Sequence, residues 1–310
     1  MTETAKRDFL NLRDLTHDEA YAVLALAARL KAAPKGANTD VLKGYVVCCI
    51  MEKPSLRTRG SFEAGVAQLG GHPFTMFKDE LGLGVREPIR DAARVLERYC
   101  DAIVFRTFEH SRVIEMASAT VPVINALTDD SHPAQILADI FTVEEIFGGP
   151  GSIRGKRVAY ISNGASNTAR SWLEAAPMFG FHLTIASPEG FRPPEDEIAA
   201  AGDAVSFRSP LAAARDADVI YTDVWTSMGQ EERAREHHAV FSDYTVDTSL
   251  VSVAPAHVVV LHCLPAHRGE EISDDVIEGP RSRVWDEAEN RLHVQKALLC
   301  FLLGVADRVG

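Results

Sequence analysis

The stretch EKPSLRTRGSFEAG, starting at Glu52, sets Ser55, Arg57, Thr58 and Arg59 directly behind the apolar run GYVVCCIM. A strand-like run that yields to serine and then to a helical pattern marks a strand–loop–helix junction. Ser55 is its N-cap, and Gly70-Gly71 is its stop. A helix N-terminus presents free N–H groups and a partial positive charge. Cations in that first turn are unfavourable unless an anion is present. Guanidinium forks and hydroxyls there make a phosphate cradle without the glycines and lysine of a P-loop.

Other polar islands fall at similar junctions. Arg106 closes the strand-like AIVFR, and TDDSHPAQ follows PVINAL with His132 and Gln135. TDVWTSMG offers Asp223, Ser227 and Met228, and LHCLPAHRGEE offers Cys263 and Leu264. AENRLH puts Arg291 at the head of the last helix. In parallel α/β folds, ligands bind where strands end and helices begin.

The elements that must position these groups alternate along the chain. The runs YVVCCIM, AIVFR, PVINA, RVAYIS, HLTIAS, DVIYTDVW and VVVLHCL read as strands. Amphipathic stretches such as IRDAARVLERYC and HPAQILADIFTVEEIF lie between them. This predicts an α/β protein of two similar-sized domains, each a parallel sheet flanked by helices. The break is the turn-rich GGPGSIRGK, and a C-terminal helix packs back on the first domain. The expected domains are 1–145, completed by the helix 289–310, and 146–288.

The composition narrows the function. Thirty-two basic against forty-four acidic residues give a net charge of −12 over 310 residues, which argues against nucleic-acid or membrane-surface binding. Any anion site is therefore a local cluster in an acidic body. The five cysteines form neither a disulfide framework nor a paired zinc spacing. The polar N-terminus and the lack of a long apolar run predict a cytoplasmic protein with no membrane span. His237 and His238 are adjacent without a carboxylate partner and read as helix surface, so no metal is expected.

KPSLRTR, HPAQ, SMG and HCLPAHRGEE resemble the aspartate/ornithine carbamoyltransferase family in order and spacing. HPAQ marks the wider family, and SMG with HCLP marks its ornithine branch; the likeness runs to AENRLHVQKALL. The resemblance implies carbamoyl transfer from carbamoyl phosphate to the δ-amine of ornithine, with no cofactor. It implies that Ser55, Leu56, Arg57 and Thr58 hold the phosphate and that Arg106 bridges phosphate and carbonyl. His132 and Thr58 would donate to the carbonyl oxygen. Gln135 and the Cys263 and Leu264 carbonyls would take the carbamoyl NH2, and Arg291 would complete the pocket. Asn167 would meet the acceptor's α-carboxylate and Asp223 its α-ammonium, with Ser227 and Met228 nearby. Arg106, His132, Cys263 and Arg291 would be the catalytic groups, Cys263 without acting as a nucleophile. The family also implies a homotrimer or an assembly of trimers.

The stretch NGASNTARS, Asn163 to Ser171, departs from the ornithine branch, and Arg170 stands where a smaller residue is common. That departure is the one feature that favours a rival acceptor, such as putrescine or another amino acid; Asp223 and SMG argue against it. The loop KDELGLGVREP, which in the family reaches a neighbouring subunit's site, does not align cleanly. A dinucleotide-dependent oxidoreductase would need three spaced glycines after RVAYIS, where only Gly164 stands. An inactive paralogue would not need Arg57, Arg106, His132, Cys263 and Arg291 together.

Overall fold

A computed structural model describes residues 6–226, 232 and 234–310, without the side chain of 234. The chain divides into two compact units, Met1–Ala138 with Asn290–Gly310, and Asp139–Glu289. The divisions fall inside two helices.

The first unit begins with α1 (His17–Ala32), β1 (Val46–Met51), α2 (Leu56–Gln68) and β2 (His72–Phe77). It continues through α3 (Lys78–Leu81), α4 (Ile89–Leu96), β3 (Ala102–Arg106), α5 (His110–Met116), β4 (Val123–Leu127) and the start of α6 (Pro133–Phe147). Its sheet is fully parallel in the order β2-β1-β3-β4. β1 and β3 carry continuous apolar runs because helices cover both sheet faces. Cys48, Ile50, Ile103 and Phe105 pack with Ile89, Ala93 and Leu96 of α4 and Val113 and Met116 of α5. Cys48 and Cys49, on opposite sides of β1, are both wholly buried.

The second unit runs on from α6 through β5 (Arg157–Ile161), α7 (Asn167–Phe179), β6 (His182–Ala186), α8 (Glu195–Ala201), β7 (Val205–Phe207) and α9 (Pro210–Ala214). There follow β8 (Val219–Thr222), α10 (Ala234–Phe241), α11 (Thr248–Ser252), β9 (Val259–His262), α12 (Asp274–Ile277) and α13 (Val284–Leu302). Its parallel sheet has the order β7-β6-β5-β8-β9.

Both sheets reverse direction of growth once, between β1 and β3 in the first and between β5 and β8 in the second. Strand ends at such a switch point diverge and leave a crevice at their carboxyl side. The α/β architecture with two parallel sheets agrees with the sequence reading. Two edge strands, β2 and β7, escaped it. HPFTMF holds a proline, a histidine and a threonine, and VSF is three residues long, so neither shows an apolar run.

The turn after α2 shows why it must contain glycine. Gly70 has φ +83°, and a Cβ there would lie 1.7 Å from the Thr39 carbonyl oxygen. The last helix begins at Val284, so Arg291 sits two turns inside α13 and not at its head.

Candidate functional site

In the first unit, Ser55 caps α2, its hydroxyl accepting from Thr58 N at 3.1 Å. That places Leu56, 81% exposed, and the half-buried Arg57 in the first turn, with Thr58 buried beneath. Arg106, the last residue of β3, donates from Nη1 to Thr58 Oγ1 at 3.3 Å. Arg291 donates from Nη2 to the same oxygen at 2.9 Å and from Nη1 to Gln135 Oε1. His132 Nε2 lies 3.4 Å from Arg291 Nη1. Thr58, Arg106, His132, Gln135 and Arg291 are thus one buried cluster at the carboxyl ends of β1, β3 and β4.

The charges that act most on His132 are all cationic. Burial first, then Arg291, Arg106, Arg57 and Lys53, hold the His132 imidazole well below its ordinary 6.5. His132 is therefore neutral at physiological pH. Arg59 is not part of the group, contrary to the pairing with Arg57 read from the motif. Its Nε bonds Glu63 Oε1 at 2.9 Å, and its guanidinium lies 5.0 Å from the centre of the Phe77 ring. The arginine that does reach Thr58 from β3 is Arg106.

Residues that the sequence reading passed over brace this cluster. Glu52 N donates to Arg106 O at 2.9 Å, tying the end of β1 to the end of β3. The Glu52 carboxylate accepts from Arg112 Nη2 at 2.6 Å and Nε at 3.1 Å, and from the Thr107 hydroxyl. Arg112 also donates to Leu83 O at 3.0 Å. Lys53 is buried, pairs with Asp129 and lies 4.6 Å from the Phe108 ring centre. Glu52 and Lys53 adjoin the motif, but only the fold brings Arg112 to Glu52 and Asp129 to Lys53.

In the second unit, Ser166 caps α7 through Ala169 N at 3.2 Å and places the half-buried Asn167 at its first position. Asp223 directly follows β8, and its Oδ1 accepts from Val224 N at 2.8 Å and from Cys263 Sγ at 3.1 Å. Burial, then Asp223, Glu287 and Asp139, push the Cys263 thiol well above its ordinary 9.0. Ser227 and Met228 lie outside the described residues. Arg170, which stands where a smaller residue is common, is held by Glu197 of α8 through Nε at 3.0 Å and Nη2 at 2.6 Å.

Asp223, His262 and Cys263 bring one donor atom each within 4.8 Å of one another. However, His262 Nδ1 accepts from Leu264 N at 2.9 Å and its Nε2 meets Glu271 Oε1 at 3.0 Å, so a metal would have to displace one of them. The His237–His238 pair is not simply helix surface. His237 is buried, with Nδ1 3.2 Å from Trp225 O, whereas His238 is exposed.

Comparison with known proteins matches both units. Residues 7–145 fit the family model described as the aspartate/ornithine carbamoyltransferase carbamoyl-P binding domain. Residues 154–302 fit the model of the Asp/Orn binding domain. The chain is 55% identical over 307 residues to an ornithine carbamoyltransferase of Sorangium cellulosum, covering 97% of this chain and 99% of the relative. It is 48% identical to that of Geobacter sulfurreducens, covering 96% and 99%. Among solved structures, the ornithine carbamoyltransferase of Pyrococcus furiosus superposes with a TM-score of 0.89 at 44% identity, covering 97% of this chain and 98% of that one. The Thermus thermophilus enzyme gives 0.88 at 40% identity, covering 97% and 100%. With each unit matched to its own family model, and relatives aligned over nearly their whole length, the chain belongs to the aspartate/ornithine carbamoyltransferase family.

Proposed function

We propose that this chain transfers the carbamoyl group from carbamoyl phosphate to the δ-amine of L-ornithine, giving L-citrulline and phosphate. The observation that carries the reading is the buried cluster of Thr58, Arg106, His132, Gln135 and Arg291 behind the α2 N-terminus. Guanidinium forks gathered behind a helix N-terminus match the paired oxygens and charge of a phosphate. The phosphate of this reaction leaves with two negative charges.

In this reading Ser55, Leu56, Arg57 and Thr58 hold the phosphate through side chains and helix amides, and Arg106 spans phosphate and carbonyl oxygen. His132 donates to that oxygen as the amine attacks. A neutral imidazole suits this role, because its hydrogen bond strengthens as charge develops on the oxygen. One such donor is worth about 2.7–4 kcal/mol in the transition state. Gln135 and the Cys263 and Leu264 carbonyls take the carbamoyl NH2, and Arg291 closes the donor site. Asn167 takes the ornithine carboxylate and Asp223 its α-ammonium, and Ser227 and Met228 are assigned to the same substrate. The amine attacks the carbonyl carbon, the bond to the phosphate oxygen breaks, and the proton the amine loses ends on the departing phosphate, which leaves as the dianion. No covalent enzyme intermediate is needed.

The donor-binding part comprises 1–145 with 289–310, and the acceptor-binding part 146–288. The chain serves arginine biosynthesis in the cytoplasm, as a homotrimer or an assembly of trimers. Five free thiols suit a reducing compartment. The edge strand β2 is only partly buried along its length, and Val85 in the following loop is 91% exposed, which suits a covering subunit. Sedimentation at several concentrations tests the assembly.

An acceptor panel with carbamoyl phosphate tests the reaction. Carbamoylated product should form fastest with ornithine, as citrulline. A faster product with putrescine, or with another amino acid, would move the chain to the rival acceptor that the Asn163–Ser171 departure raises.

A further inference from the structure

The turn that carries Cys263 and Leu264 is held by a buried pair to which the reaction assigns no role. Leu264 has φ 57°, in the left-handed region that a leucine rarely occupies. Such a conformation persists only where its surroundings hold it. Its amide is fixed, because Leu264 N donates to His262 Nδ1 at 2.9 Å. That bond leaves no proton on Nδ1, so Nε2 carries the imidazole hydrogen and donates it to Glu271 Oε1 at 3.0 Å. Both side chains are wholly inaccessible to solvent. The same carboxylate oxygen accepts from His267 N at 2.6 Å, which pins the far end of the turn. The backbone is anchored on both sides. His262 N donates to Glu287 Oε2 at 2.8 Å, and Val246 N donates to Glu271 O at 2.8 Å.

We propose that Glu271 is a positioning residue: it holds His262 in the one tautomer that can fix the Leu264 amide, and so aims the Cys263 and Leu264 carbonyls. If the proton moved to Nδ1, two N–H groups would face each other and the turn would be released. A carboxylate next to Nε2 prevents this, because it accepts a proton and has none to offer. The inference rests on the reading that these carbonyls take the carbamoyl NH2. The tautomer can be measured whether or not that reading holds.

The test joins kinetics to nitrogen NMR. Glu271→Ala should lower kcat/KM for carbamoyl phosphate by about tenfold or more, the equivalent of one lost hydrogen bond, with ornithine KM shifted less than about twofold. Glu271→Gln keeps an oxygen that can accept from both Nε2 and His267 N, and should recover most of that loss. In protein with 15N-labelled histidine, His262 is assigned by its disappearance in His262→Asn. It should show an unprotonated Nδ1 and a protonated Nε2, and lose that preference in Glu271→Ala. A protonated Nδ1 in the parent protein overturns the proposal. So does a folded Glu271→Ala with unaltered carbamoyl phosphate kinetics. Should Glu271→Ala fail to fold, the parent tautomer and the Glu271→Gln kinetics decide: a Gln variant that loses as much as a fully displaced turn would refute it. Failure of the parent to make citrulline would remove the carbamoyl reading alone.

Discussion

The first unit surrounds His132 with Arg291, Arg106, Arg57 and Lys53, while the second surrounds Cys263 with Asp223, Glu287 and Asp139. The fields have opposite signs, yet the outcome is the same. Burial and then cations keep the imidazole from gaining a proton, and burial and then carboxylates keep the thiol from losing one. Each unit thus holds a buried titratable group neutral among charges that are themselves mostly buried. The difference teaches which ligand each can take. A field of guanidiniums suits an anion, and a field of carboxylates suits an ammonium group.

The largest effect should come from weakening the cationic side. Arg57→Ala or Arg106→Ala should lower turnover by about 10²–10³, the cost of losing one oxyanion donor or more. Thermal melting should change little for the half-buried Arg57. Near-parental rates in either variant would break the assignment of this cluster to the donor. On the acidic side the effect should be far smaller. Cys263→Ser keeps a hydroxyl that can donate to Asp223, and should cost about tenfold in kcat, the scale of one altered hydrogen bond. A carbamoyl thioester trapped on Cys263, with abolished activity in the serine variant, would instead make the thiol a nucleophile. Its alkylation at about pH 8 should be at least tenfold slower than that of an ordinary thiol, because only the thiolate reacts.

The two neutral groups also make opposite contributions to stability. The His132 value is depressed in the folded chain, so between that value and 6.5 the unfolded chain binds the extra proton. Unfolding free energy then falls as pH drops below about 6.5, by at most about 1.4 kcal/mol per pH unit. The Cys263 value is raised, so the folded chain retains a proton that the unfolded chain loses above 9.0. Stability from this group falls as pH rises through that region. Urea midpoints of His132→Gln and Cys263→Ser across pH should flatten the acid and the alkaline limb respectively. If His132→Gln leaves the acid limb as steep as before, the cationic field is not what governs it.

How much of this was legible depended on sequence distance. The Ser55 cap, the end of β3 at Arg106 and the placement of His132 before α6 are local, and the residue types announce them. The partners were not legible. Arg59 is the same residue type as Arg57, but two positions on along α2 it lies on nearly the opposite side of the helix, where it meets Glu63 one turn on and Phe77 on β2. Glu52 is plain in the motif, but its ligand Arg112 lies sixty residues off, on α5. Glu271 and His262 stand in the most recognisable stretch of the chain, and their bond forms only when the turn between them closes. The strands β2 and β7 were hidden because an edge strand needs no apolar run on its outer side.

The smallest effect bears on the acceptor side, where the sequence departs most from its family. Arg170 stands one turn into α7 from Asn167 and could have supplied a second cation to the acceptor's carboxylate. Instead its guanidinium grips Glu197 through two nitrogens, with both side chains partly exposed. A pair of this kind contributes about 0–1 kcal/mol, and its charge is largely compensated before any ligand arrives. Arg170→Ser should therefore leave ornithine KM within about twofold and alter stability by about 1 kcal/mol or less. Glu197→Gln should act in the same small measure, since it frees a cation that points toward α8 rather than toward Asn167. Acceptor preference measured in both variants sharpens the contrast between the units. A shift from ornithine toward a diamine in Arg170→Ser would mean that the second unit, too, binds through a guanidinium, and the division into a cationic donor site and an acidic acceptor site would fail.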